Sequence, residues 1–231
     1  PEVLQAGCLP RYLQRMNSRK PGGIEGQRMA LPKPTSGRST TVFAALRKRR
    51  TDRAISDKEL SRQVLSNLLW SACGVNRAKG PFGIPGRTAA SASNSQEIDL
   101  YVALQDGVHR YEPESHCLTL VTSEDLRPMG IGKGQGDAGS RAPVRLIYVL
   151  DMAKFATAGF QEPGLQDTET QKSYYFVDAG LIAENVYLFA AAQGLAAWFH
   201  NCNKAELSPR LKLTKDQRVL FGQTIGYLEK A

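Results

Sequence analysis

The chain has 231 residues, of which 42% are hydrophobic, and it carries 30 Lys and Arg against 22 Asp and Glu. This length and apolar content suit one globular domain with a buried core and exclude a disordered chain. The net charge of +8 is concentrated at one end, because seven cations but only two acids lie in the first 40 residues. Much of the net positive charge therefore belongs to the N-terminal segment and not to the surface of the whole protein.

Residues 1–30 are rich in Pro, Gly and Arg and show little apolar periodicity, which predicts a basic, extended N-terminal arm before a domain over 31–231. The arm offers no aromatic platform for bases, so a nucleic-acid partner is not favoured. No apolar stretch free of polar breaks is long enough to cross a membrane. We therefore predict no transmembrane segment and a cytoplasmic location, with an exported form left open because the chain begins without Met.

The cysteines and histidines do not predict a metal site. The four cysteines are widely spaced without a C-x-x-C pair, and the three histidines form no H-E-x-x-H or similar cluster. Structural zinc sites need such closely spaced ligands.

The first predicted helix ends in a dense cluster of cations. Val42, Ala45, Leu46 and Arg49 follow helical spacing, so Arg49 would point the same way as the apolar stripe. It belongs to "RKRRTDR" at 47–53, where five of seven residues are cations. If Arg49 faces inward, it needs an anion as a partner. The alternative is that these cations form a solvated surface at the C-terminal end of the helix, where the helix dipole favours positive charge.

The next elements alternate between helix and strand. Ser56 and Glu59 form a capping-box pattern, which predicts a helix that starts there and ends at Gly74. Residues 76–96 are rich in small residues and predict a loop, and the alternation that follows predicts strands joined by a hairpin at Asp106-Gly107.

The second half of the chain predicts a buried centre. "RLIYVLD" at 145–151 is nearly all apolar, as in a strand covered on both faces, and a polar linker follows at 159–172. Residues 178–193 predict a helix that is apolar on every side, hence fully buried, and ends at Gly194. With strands at "AAWFH" and "RVLFGQTIGYL", the chain is predicted to be α+β.

One motif is misleading. "GKGQGDAG" contains G-x-G-x-x-G at Gly134, Gly136 and Gly139, but no strand leads into it and no helix follows. A dinucleotide-binding turn needs both, so we predict a flexible loop.

Seven segments in order resemble the nitroreductase superfamily of FMN-dependent oxidoreductases, particularly the subgroup allied to SagB-type dehydrogenases. They span about residues 30–228 and read "LPKP", "RRTDR", "LSNLLWSACGVNR", "GRTAASASNSQEIDLYVAL", "APVRLIYVLD", "DAGLIAENVYLFAAAQGL" and "IGYL". The resemblance implies a central mixed β-sheet flanked by helices, and an intertwined homodimer with FMN between the subunits. It also implies hydride transfer from NADH or NADPH to flavin N5 and on to a small-molecule electron acceptor in a ping-pong cycle.

The same resemblance assigns the cofactor-binding residues. Arg49 and Arg50 would bind the FMN phosphate, Thr51 would lie near the phosphate and ribityl chain, and Arg53 would face the pyrimidine edge. There a fixed cation would stabilise the negative charge that reduction places near N1 and O2. The resemblance assigns further flavin contacts to Ser91, Ala92, Asn94 and His200. No side chain is assigned a catalytic role, because the cofactor carries the chemistry.

Departures from the family pattern leave alternatives open. Ala90 stands where the family loop commonly has proline, and Glu184 stands where glutamine is usual. Many relatives have basic phosphate ligands near the C-terminus, whereas this chain has only Lys230 there. A SagB-type azoline dehydrogenase acting on modified peptides is one alternative, although Ser173 separates Lys172 from Tyr174, which are adjacent in those enzymes, and Leu181 replaces a frequent histidine. The other alternative is a flavin-binding protein without turnover, or an interaction module that acts through the basic arm.

Overall fold

The computed structural model describes residues 26–35, 40–131 and 142–229. Its helices are α1 (Val42–Lys48), α2 (Arg62–Cys73), α3 (Ala153–Ala156), α4 (Thr168–Gln193) and α5 (Lys204–Arg210). Its strands are β1 (Arg28–Ala30), β2 (Val75–Arg77), β3 (Gly86–Arg87), β4 (Ile98–Leu104), β5 (Gly107–Glu112), β6 (Cys117–Thr122), β7 (Val144–Asp151), β8 (Leu195–His200) and β9 (Gln217–Tyr227).

Seven strands form one sheet in the order β1-β6-β5-β4-β7-β9-β8, while β2 and β3 form a separate small hairpin. The predicted α+β class is confirmed. The expected mixed sheet is instead antiparallel at each of its pairings among the described residues. Short connections such as the turn between Leu104 and Gly107 permit this, since antiparallel neighbours need no long crossover.

Helices cover both faces of this sheet. The main core lies where α2 and α4 pack against alternate residues of β4 and β7, such as Leu100 and Leu146. The intervening residues, such as Tyr101 and Ile147, point to the other face, where Leu207 of α5 packs. Strand β7 is buried from Val144 to Leu150, as its apolar sequence predicted. It lies inside the sheet, between β4 and β9.

Helix α2 begins five residues later than the sequence pattern indicated. Ser61 is its N-cap and accepts a hydrogen bond from the Val64 N–H at 3.3 Å. The predicted cap at Ser56 is wrong because the backbone there is already paired. Ser56 N–H donates to the Tyr227 carbonyl, and Ile55 forms a bridge with Leu228. The predicted end at Gly74 is confirmed.

Helix α4 starts at Thr168, ten residues before the apolar run, with Asp167 as its N-cap, and ends at Gly194, which adopts φ 70°. The prediction that residues 178–193 are fully buried is wrong in this chain, since Leu181 and Glu184 are exposed. By length and composition α4 could cross a membrane, alone among the described helices, and half of the qualifying stretch is buried within the fold.

Two further predictions agree with the structure of the described residues only in part. Of the apolar stripe on α1, Ala45 is buried, whereas Val42 is 68% and Leu46 49% exposed. Residues 28–30 of the expected arm pair with β6 and therefore belong to the sheet. The G-x-G-x-x-G segment at 134–139 and the rest of the arm, residues 1–25, lie outside the described residues.

Candidate functional site

The arginine segment, residues 49–53, runs along the open edge of the sheet. Helix α1 ends at Lys48, and Arg49 turns the chain into an extended backbone at φ −57° and ψ 123°. Three residues later the Asp52 N–H donates to the Ala197 carbonyl at 3.0 Å. Because β8 is an edge strand, this bond fixes the segment beside it.

Arg49 lies over an aromatic ring on the α4 side of this edge. Its guanidinium carbon is 5.5 Å from the centre of the Tyr187 ring. The Tyr187 hydroxyl accepts a hydrogen bond from the Phe199 N–H at 2.8 Å and is 3.1 Å from Thr51 Oγ1. Tyr187 thereby ties α4, β8 and the arginine segment together, and its ring supports the Arg49 cation.

Arg53 lies over a different ring, with its guanidinium carbon 5.3 Å from the centre of Trp198. Trp198 packs in a cluster with Ala196, separate from the core that α4 covers. Neither Arg49 nor Arg53 forms an ion pair with any described residue, whereas Arg50 Nε donates to Asp52 at 2.9 Å. Two of the three predicted arginines are therefore held in place with their charge unmatched.

Ser91, Ala92 and Asn94 lie in a tight loop between β3 and β4. Ser93, Asn94 and Gln96 have φ near 50°, a left-handed conformation that is uncommon for residues other than glycine. Ser91 Oγ accepts from the Gln96 N–H at 3.1 Å, and Ser93 Oγ donates to Glu162 at 2.9 Å. Asn94 Nδ2 is buried without a hydrogen-bond partner among the described residues, so a donor is held ready for a ligand.

Two acids anchor this loop. Asp178 of α4 accepts from the Ala92 N–H at 2.9 Å, and Glu97 accepts from Ser95 Oγ at 2.6 Å. Both line a small cavity to which Cys73 and Arg87 also contribute. Burial and the neighbouring Glu97 carboxylate raise the pKa of Asp178 to about 7.

His200 ends β8 beside Trp198, with 4.5 Å between the ring centres. Its Nδ1 is 2.6 Å from the Asn201 carbonyl and must therefore carry the proton, which leaves Nε2 to accept from Thr224 Oγ1 at 2.9 Å. Burial lowers the pKa of His200 to about 4, so the ring is neutral. Both nitrogens are used inside the protein, and a contact between this ring and a cofactor stays a prediction.

The structure separates the predicted residues into two groups. The arginine segment meets α4 at Tyr187, and the loop meets it at Asp178, nine residues earlier. Nine residues are about 14 Å and two and a half turns of a helix, so the two groups lie on opposite sides of α4. Within one chain, the points at which the two groups contact α4 are therefore well separated.

Several residues of the site were not predicted from the sequence. Tyr187 and Trp198 hold the arginines, and Asp178 and Glu97 anchor the loop. Asp178 had a usable signal, because a carboxylate inside an otherwise apolar helix needs a buried partner. Tyr187 had none, since one aromatic residue in an apolar helix usually serves packing.

Comparisons with known proteins agree with this architecture. Residues 46–227 match the nitroreductase family. A candidate nitroreductase of Methanocaldococcus jannaschii is 27% identical over 155 residues, which are 64% of this chain and 72% of that protein. The crystal structure of a candidate nitroreductase from Ralstonia eutropha JMP134 is 31% identical with a TM-score of 0.76, covering 92% of this chain and 95% of that one.

A more distant solved structure shares the fold. It is the NADPH:FMN oxidoreductase from Vibrio harveyi complexed with NAD⁺, which is 17% identical with a TM-score of 0.56 and covers 82% of this chain and 69% of that one. The match over residues 46–227 spans most of the sequence, so the chain belongs to the nitroreductase family. The fold is accordingly that of an oxidoreductase family.

Proposed function

We propose that this chain is an FMN-dependent oxidoreductase that takes hydride from NADH or NADPH and reduces a small-molecule acceptor in a ping-pong cycle. The observation that carries the proposal is the pair of unmatched arginines, Arg49 and Arg53, fixed along the edge of β8. Buried or ring-supported cations without a carboxylate partner are suited to an anionic ligand. Family membership and a fold shared with an NADPH:FMN oxidoreductase favour FMN as that ligand.

The described residues fit the two chemical ends of FMN. Arg49, with Arg50 and Thr51 beside it, would hold the phosphate, and Arg53 would face the pyrimidine edge. Ser91, Ala92 and Asn94 would contact the ring system and ribityl hydroxyls, and Asn94 Nδ2 is a buried donor that needs an acceptor. When bound, FMN supplies hydride acceptance and donation, while the protein binds, orients and supplies charge.

We further propose that the active form is a homodimer whose sites combine both chains. The loop and the arginine segment lie on opposite sides of α4, so one chain alone does not surround a cofactor with both. An apolar surface on α1 and α4 that includes Phe43, Phe176 and Leu181 is exposed in the single chain. A second copy packed on this surface would cover it and bring one chain's loop towards the other's arginines.

The geometry does not favour the azoline dehydrogenase alternative. Lys172 and Tyr174 are two residues apart on α4, which places them about 200° apart around the helix. Lys172 is exposed and lies 3.9 Å from Glu169. Tyr174 lies near Glu162 instead.

The absorption spectrum of the purified protein tests the proposal. We expect flavin bands that survive gel filtration and bleach when NADH or NADPH is added without oxygen. Bands that do not bleach with either donor would support a flavin-binding protein without turnover. A protein that neither retains nor binds added FMN would contradict the proposal altogether.

A further inference from the structure

Two buried carboxyl groups hold the base of loop 91–96 by hydrogen bonds. Ala92, at its start, donates to Asp178, and Ser95, near its end, donates to Glu97. The carboxyl groups of Asp178 and Glu97 line the same small cavity. Both ends of the loop are therefore held by two carboxyl groups from different elements.

Two carboxyl groups that meet in one cavity can form a hydrogen bond with each other only if one of them holds a proton, since an ionised carboxylate has no donor. Both side chains are buried, since Glu97 is 0% and Asp178 only 4% exposed, and water therefore cannot stabilise two negative charges at this place. Glu97 Oε1 has no N–H or O–H donor within hydrogen-bond distance in the part of the chain described. A proton on one carboxyl supplies the missing donor.

Other ionisable groups face the pair from every neighbouring element, namely Cys73 of α2, Arg87 of β3, Lys154 of α3, Tyr174 of α4 and Glu162 of the preceding loop. Arg87 lies near Cys73 in this cavity, and its Nε is buried with no partner in the described residues. Lys154 pairs with Asp99 at 2.6 Å. Lys154 is therefore engaged elsewhere, and neither cation forms an ion pair with Asp178 or Glu97 in the described residues, which leaves a proton as the link between the carboxyls.

We propose that Asp178 and Glu97 share one proton and, through it, hold loop 91–96 in the conformation that binds the cofactor. They are positioning residues, because they act through the loop and not on the ligand itself. The inference rests on the proposed function for the identity of the ligand, whereas the proton link itself rests on the geometry above.

The loop needs these anchoring hydrogen bonds because its backbone is strained. Three residues other than glycine, Ser93, Asn94 and Gln96, occupy the left-handed region, and such conformations persist only where the surroundings enforce them. Loss of the shared proton would place two buried negative charges in contact. Their repulsion would separate the two anchors and let the loop relax, so cofactor affinity would fall as the pH rises.

The experiment measures the FMN dissociation constant by fluorescence quenching from pH 6 to pH 9. We expect the constant of the unaltered protein to rise at least about fivefold between pH 6.5 and pH 8.5. Ionisation of the FMN phosphate acts in the opposite direction, because its second pKa is about 6 and the dianion binds arginine more tightly. A rise with pH therefore does not come from the phosphate.

Matched variants isolate the pair. Asp178→Asn keeps an acceptor for the Ala92 N–H and a permanent donor for Glu97, so its dissociation constant should change less than about twofold over the same range. Glu97→Gln should flatten the profile in the same way, and Asp178→Ala should bind FMN weakly at every pH. Glu169→Gln, an exposed acid at the start of α4, should keep the original profile.

An amide readout separates failure of this inference from failure of the proposed function. In the protein without FMN, the ¹⁵N-amide signal of Ala92 should titrate near pH 7, and it should not titrate in Asp178→Asn. If FMN binds but neither readout depends on Asp178, the inference is overturned while the function stands. If FMN does not bind at any pH, the function fails, and the Ala92 titration alone supports or overturns the proton link.

Discussion

The hydroxyl of Tyr187 accepts a hydrogen bond from the Phe199 N–H at 2.8 Å, and this bond joins α4 to the edge strand beneath the arginine segment. The ring of the same tyrosine lies under Arg49. One side chain therefore has two roles that a conservative substitution can separate.

Tyr187→Phe should keep the ring and remove only the hydroxyl. Because the Phe199 N–H then loses its acceptor, we expect the free energy of unfolding in urea to fall by about 1–2 kcal/mol. FMN affinity should change by less than about threefold, since Arg49 keeps its ring. Tyr227→Phe, at a ring near Lys58, is the control and should be close to neutral. A large loss of FMN with unchanged stability would show that the hydroxyl contacts the ligand.

Arg49→Ala should weaken FMN binding most among single substitutions in the arginine segment. It removes a charge-assisted contact with a phosphate dianion, at a cost of roughly 2–4 kcal/mol in a partly desolvated site. The measurement is the dissociation constant, together with flavin content after gel filtration. Arg47→Ala removes an exposed cation from the last turn of α1 and should leave binding nearly unchanged. Stoichiometric FMN retained by Arg49→Ala would remove this arginine from the phosphate site.

Leu181→Arg tests the proposed dimer. The side chain is 43% exposed on α4, within an apolar surface that includes Phe176 and Val177. A cation there would remain buried against a second copy without a partner, so light scattering after gel filtration should show monomers with reduced flavin content. Glu169→Arg, at the exposed start of the same helix, should remain dimeric. A dimer of unchanged stability in Leu181→Arg would place the interface elsewhere.

The strands and the arginine segment were predictable because their signals repeat along the sequence. Strand β7 is apolar throughout, and the cations around Arg49 are too dense for chance. The start of α2 was mispredicted because a backbone pairing with Tyr227, distant in sequence, outweighed a good local cap at Ser56. Likewise no local pattern could show that Glu97 meets Asp178, since 81 positions separate them and only the packed fold brings them together.

The raised pKa of Asp178 also makes stability depend on pH. Its ordinary value of 3.8 applies to the unfolded chain, whereas the folded value is about 7, so between these values the folded state holds a proton that the unfolded state has lost. This group's contribution to stability is complete below pH 3.8 and is lost as the pH rises through 7. Asp178→Asn removes that dependence.

We therefore expect Asp178→Asn to be more stable than the unaltered protein by roughly 1–3 kcal/mol at pH 8, with the difference shrinking towards pH 4. Urea unfolding over this pH series measures it. Asp167→Asn is the matched control, because hydrogen bonds from Thr170 lower the pKa of Asp167 and give the opposite sign. A gain for Asp178→Asn that does not vary with pH would indicate a packing effect and not a titration.

Arg53 offers a test of electronic control over the cofactor. Its guanidinium is fixed over Trp198 and has no ion-pair partner among the described residues. If it faces the pyrimidine edge of bound FMN, it stabilises the negative charge that reduction adds there, while oxidised FMN gains much less at that edge. At an effective dielectric of about 20 and a separation of about 4 Å, the gross attraction is ~4 kcal/mol.

Arg53→Gln should therefore lower the two-electron midpoint potential of the bound flavin. Solvent compensates part of the attraction, so a net change of about 1–2 kcal/mol is expected, which corresponds to roughly 20–40 mV for a two-electron couple. A redox titration of both proteins with FMN bound gives the shift directly, and Arg47→Gln corrects for the general loss of one cation. An unchanged potential with unchanged binding would place Arg53 on the solvated face, because a charge beside the pyrimidine edge must affect the reduced state more than the oxidised one.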